Sequence, residues 1–193
     1  VNTYAPAMIL AADVKTGVTT GNVFVMDIRS ADAYAAGHIP SAVNVPLTDV
    51  ITYYESNNLS QYDKVAIACY SGQSASYATG VLRVMGYDNV FTLKFGMCSW
   101  SQETNSSWPS NIGSGKAALF TSDATDKAPE GDMPTINTGK GSGADILRAR
   151  AEEIIAAGYG DAGISNDEVF QNRDNLYIIN YWKMDHYLDP GHI

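Results

Sequence analysis

Cysteine is nearly absent: the 193 residues contain two, Cys69 and Cys98. Two cysteines make no disulfide framework. With no CxxC pair and no Cys/His ligand spacing there is no zinc signature, and neither metal nor cofactor is expected. Charge is scarce as well, at 17% of residues, and it is lopsided, with 21 acidic against 12 basic side chains and a formal net charge of −9. No basic run occurs, so nucleic acid and anionic membrane surfaces are poor partners. Nor is there an apolar run of the roughly 18 residues a membrane-spanning helix needs, so no membrane partner is expected. Residues 1–100 carry 7 acidic and 5 basic side chains, and 101–193 carry 14 and 7. The acidity therefore lies away from Cys69. Low lysine beside abundant Asn, Ser, Thr, Tyr and Gly, in a chain starting at Val1, suggests an exported bacterial protein that has lost a signal peptide. It would be periplasmic or extracellular, with the cytoplasm as the alternative.

Apolar residues make up 45% of the chain. That is enough for one domain with a sizeable core plus an extra piece, or for two small domains. The organising stretch is Lys64-Val65-Ala66-Ile67-Ala68, which reads as a buried strand stopping at Cys69. Small residues follow, and then Ala78, Val81, Leu82 and Met85 fall at helical spacing within 76–85. A strand, a tight loop opening on cysteine and then a helix is one way to make a reactive thiol. Loop N–H groups and the helix N-terminus favour thiolate, the nucleophilic form. Gly72 suits the loop because it takes positive φ at no steric cost. Against this stands a plainer role for Cys69, a small buried hydrophobe at a strand end.

Earlier in the chain, Val23–Ile28 reads as a strand buried on both faces, and residues 5–16 as a short helix ending near Gly17. A helix is expected over 47–54, broken at Asn57-Asn58, and a further strand over Val90–Leu93. Alternation of this kind favours a parallel sheet with helices on both faces, whose ligands sit at the carboxyl ends of the strands.

Three stretches carry a family likeness. Cys69-Tyr70-Ser71-Gly72-Gln73-Ser74 resembles the active-site loop of the rhodanese (thiosulfate sulfurtransferase) family, particularly its single-domain members. Asp27-Ile28-Arg29 through Tyr34, Gly37-His38-Ile39-Pro40 and Asn44-Val45-Pro46 resembles its D-x-R…Y-x-x-G-H-I-P-G-A-x-N-x-P stretch, with Ser41 where glycine is usual. Lys94 to Trp100 resembles its closing L-x-G-G-x-x-x-W, with Phe95 in place of the first glycine. The resemblance covers 5–100 and implies an α/β fold: a rhodanese-like open parallel sheet with helices on both faces, here with a C-terminal α/β extension. It implies Cys69 as nucleophile and persulfide carrier, and Tyr70, Ser71, Gly72, Gln73 and Ser74 as the anion nest, with the Ser71 and Ser74 hydroxyls supporting the persulfide. Asp27, Arg29 and His38 are implied to build the fold: the ion pair ties strand to helix and the histidine braces a turn. The implied partners are a small anionic sulfur donor and a thiol or cyanide acceptor, with a protein as a further acceptor.

Gln73 and Ser74 stand where some relatives carry a cation, which brings polysulfide or a protein persulfide level with thiosulfate as donor. Cysteine phosphatases of the related type close a C-x5-R loop, and that last position is Ala75, so phosphate and arsenate chemistry is disfavoured. The remaining alternative is a polysulfide or persulfide carrier with little turnover. Cys98 is read as structural, with a resolving thiol as its alternative.

Composition divides the chain into 1–100, a Ser/Asn/Gly/Pro-rich connection over 101–143, and 144–193. Helices are expected over 144–157 and 164–170, the second capped by Ser165. Leu176–Asn180 is expected as a strand, and with Asp185, Tyr187 and Gly191-His192-Ile193 it mirrors the family stretch beginning at Val23. Asn180 and Trp182 depart from that pattern. A truncated second repeat, packed on the helices of the first unit, is the expectation for the tail.

Overall fold

The computed structural model describes residues 7–105, 109–110, 112–124, 126, 129–180, 183–189 and 191–193. Residues 5 and 6 of the expected first helix and Trp182 of the expected repeat lie outside them.

Five parallel strands form one sheet in the order β1-β5-β4-β2-β3, with β1 Met8–Ile9, β2 Val23–Asp27, β3 Val43–Asn44, β4 Lys64–Ala68 and β5 Val90–Leu93. Between them run α1 Ala11–Thr20, α2 Ala31–Ala36, α3 Val50–Ser56 and α4 Gln73–Val84. The central strands alternate between two cores, as a sheet covered on both faces must. Met26, Val65 and Ile67 join Val50, Ile51, Tyr54, Ala78 and Leu82 of α3 and α4 on one face. Val23, Val25, Ala66 and Ala68 join Val14 of α1 on the other. The register pairs Asp27 with Ala68, so Cys69 leaves the sheet at its carboxyl edge.

Two early elements differ from the sequence reading. Met8-Ile9 is an edge strand paired with Thr92-Leu93, not helix. The helix then runs past Gly17 to Thr20 and stops at Gly21, which takes φ 79°. Gly17 does not break it. A Cβ there would lie 2.1 Å from Val23 Cγ2, so glycine lets α1 lie close on β2.

The long segment after residue 105 gives way at Ser142, whose hydroxyl caps α5, Gly143–Ala157, before the helix ends at Gly158. Its Ala151 and Ile155 are buried in the same core as α3 and α4, and the Tyr77 hydroxyl donates to the Ile154 carbonyl at 2.5 Å. Arg148 adds a two-pronged hydrogen bond to Glu55, at 2.5 and 3.0 Å. The compact units accordingly differ from the three-part division expected from composition. One comprises 1–111 and 138–160, the other 112–137 and 161–193, because α5 has its apolar face on the sheet-bearing unit.

Within the second unit, α6 Asn166–Asn172 starts with a full capping box between Ser165 and Glu168, and α7 spans Met184–Leu188. Thr121 and His192 exchange both backbone hydrogen bonds in an isolated antiparallel bridge. Lys116 pairs with Asp167 at 2.5 Å. The expected strand 176–180 is not formed. Tyr177 and Ile179 are 81% and 76% exposed, and the Leu176 N–H turns back to the Arg173 carbonyl. Among its described residues the extension contributes helices and one bridge. One feature of the expected repeat does recur. His38 stacks on Tyr34 with its Nδ1 2.9 Å from that residue's carbonyl, and His192 stacks on Tyr187 with its Nδ1 3.0 Å from that carbonyl.

Candidate functional site

Cys69 is 2% exposed, and its environment is built by the turn into α4. Gly72, at φ 97°, is the residue before the helix and has no side chain to cap it. The first N–H groups of a helix lack intrahelical partners. One of them, on Ala75, donates to Cys69 Sγ at 3.4 Å, and the Gly72 N–H donates to it at 3.0 Å. The sulfur occupies the place of a capping oxygen. Partial positive charge from two backbone dipoles and the helix end converges on it. Tyr70 to Ser74 were expected to supply the donors. Gly72 does so, and the second donor, Ala75, lies one residue beyond that stretch.

The loop is held from behind by the short turn Gly96–Ser99. The Met97 and Cys98 N–H groups donate to the carbonyls of Cys69 and Tyr70 at 2.8 and 3.1 Å. Gly96 makes this approach feasible, since a Cβ on it would lie 2.5 Å from the Cys69 carbonyl oxygen and 2.7 Å from the Gly72 nitrogen. Phe95, where the family pattern has glycine, takes φ 62°.

Two hollows flank the loop. The larger, about 490 Å³, is lined by Arg29, His38, Tyr70, Trp100 and Glu103 among others. Its cation is already engaged. Arg29 forks onto buried Asp27 and also donates to the Gly37 carbonyl at 2.7 Å, which fastens the end of β2 to the end of α2. Asn44 adds bonds to the Asp27 and Arg29 carbonyls. The Tyr70 hydroxyl meets Ser30 Oγ at 3.1 Å. A hydrogen bond from Ser101 keeps the Glu103 carboxyl below the usual carboxylate range. The smaller hollow, about 370 Å³, is lined by Ser71, Gly72, Gln73, Lys94, Phe95 and Tyr159 among others.

The loop residues divide accordingly. Tyr70 faces one hollow, and Ser71, Gly72 and Gln73 line the other, where the Ser71 hydroxyl donates to Gln73 Oε1 at 3.4 Å. Ser74 lines neither of the two. Cys98 is half-buried behind the loop. Sequence reasoning missed Lys94 and Tyr159. Lys94 had a signal, its place just past the carboxyl end of β5. Tyr159 had none, because α5 brings it there.

The rhodanese-like domain family matches residues 10–103. The thiosulfate sulfurtransferase GlpE of Pseudomonas fluorescens (strain SBW25) is 32% identical over 93 residues, covering 48% of this chain and 80% of that protein. A Bacillus subtilis (strain 168) candidate sulfur carrier, YrkF, is 30% identical over 80 residues, which is 42% of each chain. A rhodanese-related protein of Thermoplasma volcanium has 23% identity and a TM-score of 0.42, over 50% of this chain and 91% of that one. Among the described residues no helix is long and apolar enough to cross a membrane.

Proposed function

This chain belongs to the rhodanese-like family, and on that premise we propose that it moves sulfane sulfur through a persulfide on Cys69. The thiolate attacks the outer sulfur of a donor such as thiosulfate. The donor's S–S bond breaks and its electron pair leaves with sulfite, so that a cysteine persulfide anion forms and charge is conserved. A thiol or cyanide then takes the outer sulfur and restores the thiolate. Tyr70 to Ser74 form the turn that carries the chain from the reacting sulfur into α4. The Gly72 N–H bonds to it directly, and Ser71 and Gln73 offer polar groups to whatever lies beside it.

The observation that carries this reading is the pair of backbone donors from Gly72 and Ala75 aimed at Cys69 Sγ. Donors fixed in the backbone need no reorganisation when charge returns to the sulfur, the condition for electrostatic catalysis. A second reading, a persulfide carrier with little turnover, is favoured by the near-complete burial of Cys69 and by the likeness to a candidate sulfur carrier.

Intact mass after mixing with thiosulfate or polysulfide tests the proposal. A gain of about 32 Da, one sulfur, is expected on the parent. It should persist in Cys98→Ala and be absent in Cys69→Ser, which should keep its fold. Loading of Cys69→Ser would overturn the mechanism. Steady-state release of thiocyanate from cyanide then separates enzyme from carrier.

A further inference from the structure

The smaller hollow is more than a surface dent beside the loop. Gly72 belongs to both, since its N–H donates to the sulfur and it forms part of the hollow's wall. Lys94 supplies a cation there. Its ammonium stands 5.2 Å from the Phe95 ring centroid, and among the described residues no carboxylate lies within ion-pair distance of it. The lining also includes Tyr159, which lies just past α5 and beyond the family match at 10–103. Tyr159 is placed by an edge contact with Tyr77 at 5.9 Å and by the Tyr77 hydroxyl's bond to the Ile154 carbonyl. Met8 and Phe95 add apolar surface.

One cation in a mostly apolar lining, whose Ser71, Ser76 and Thr92 hydroxyls already donate to Gln73, Gly72 and Thr79, in a volume near the lower end of small-ligand sites at roughly 300–1,000 Å³, suits a particular chemistry. A small, strongly hydrated dianion gains nothing from apolar walls and asks for several donors. An organic group bearing a single negative charge matches both features. Resting on the sulfur-transfer reading above, we propose that Lys94 and Tyr159 form a specificity subsite that selects organic monoanionic sulfur donors of the thiosulfonate type over inorganic thiosulfate. The reaction balances as before: Cys69 thiolate takes the terminal sulfur, the S–S bond breaks, and its electron pair leaves with an organic sulfinate. Lys94 holds the anionic end and the Tyr159 ring packs on the organic body.

The test separates binding from chemistry by using benzenesulfonate, which has no sulfur to transfer, with inorganic sulfate as the comparison. Calorimetric titration of the full chain should give benzenesulfonate at least about tenfold tighter than sulfate. Lys94→Gln should weaken it about tenfold, the scale of one charge-assisted hydrogen bond. Tyr159→Ala should erase the preference over sulfate. Tyr159→Phe should keep it, which guards against a variant that merely loosens the end of α5. Arg150→Gln, on the exposed side of α5, is the neutral control. With donors, the loading of Cys69 by benzenethiosulfonate relative to thiosulfate should fall at least about tenfold in Tyr159→Ala, through the half-saturating concentration. Equal binding of the two anions by the parent, or an unchanged preference in both Lys94→Gln and Tyr159→Ala, would overturn the subsite. Benzenesulfonate bound as expected with no persulfide formed from any donor would instead sink the sulfur-transfer reading alone.

Discussion

Single residues at the loop have roles that their chemistry alone would not assign. Cys69 is a helix cap as well as the proposed nucleophile, so its two hydrogen bonds would hold the turn into α4 even in an inactive protein. Serine can accept both, which is why Cys69→Ser should remove sulfur loading without unfolding the chain. Gly96 gives a sharper prediction. It combines φ 55° with backbone atoms inside 3 Å of any added Cβ, so Gly96→Ala is both strained and clashing. It should lower stability by more than the roughly 1 kcal/mol that an ordinary glycine change produces. It should also slow Cys69 loading, because the atoms that must move are the Cys69 carbonyl and the Gly72 nitrogen. Urea melts with loading rates in parallel check this, and a variant of parental stability and rate would show that the turn yields freely. Gly72 and Cys69 were legible in the sequence because a strand, a tight turn and a helix leave few other places for them. Phe95 at φ 62° was visible only as a departure from a pattern.

At the level of elements, the sequence was readable wherever one periodicity ran unbroken. β4, β5 and the helix over 143–157 match their expected spans within a residue or so. It was misread where a glycine serves packing rather than termination, as Gly17 does within α1, and at the apolar run 176–180, which forms no strand. What α5 packs on could be guessed but not its charge pairing. Arg148 donates to both oxygens of Glu55, and the Tyr87 hydroxyl bonds the same carboxylate. The Arg148 and Tyr87 hydrogen bonds hold the Glu55 carboxyl below its ordinary 4.5, and the Tyr87 phenol is pushed up to about 12, by burial and then by that carboxylate. A depressed carboxylate contributes stability that is complete above its unfolded pKa and is lost as pH falls through the folded one. The stabilising effect should therefore be full at neutral pH and fade below about pH 4.5. Glu55 is a third exposed, which limits the pair to roughly 0.2–1 kcal/mol. Glu55→Gln should lower stability in urea melts by that scale at pH 7 and converge on the parent once acid protonates the Glu55 carboxyl. A gap that stays constant with pH would show that the contact acts through packing and not through charge.

For the whole molecule, the decisive fact is that sequence order and compact units do not coincide. The chain leaves the sheet-bearing unit after residue 111 and returns to it over 138–160. Composition marks the departure, since the apolar periodicity stops, and helical spacing resuming at 144 marks the return, but neither marks the second departure after 160. The return matters because Ala151 and Ile155 of α5 belong to the core that α3 and α4 share with the sheet. A chain ending at residue 105 would keep every strand and the Cys69 loop, yet leave that helical face uncovered and remove Tyr159 from the smaller hollow. Truncating a single buried isoleucine such as Ile155 typically costs about 2–5 kcal/mol. Losing the whole helix, with the Tyr77 and Arg148 bonds, should cost at least as much. A chain ending at residue 160 should therefore melt well above one ending at 105, and the shorter chain should bind a hydrophobic dye while still accepting sulfur at Cys69. Equal melting temperatures for the two, with no added dye binding, would show that α5 rests on the unit without stabilising it.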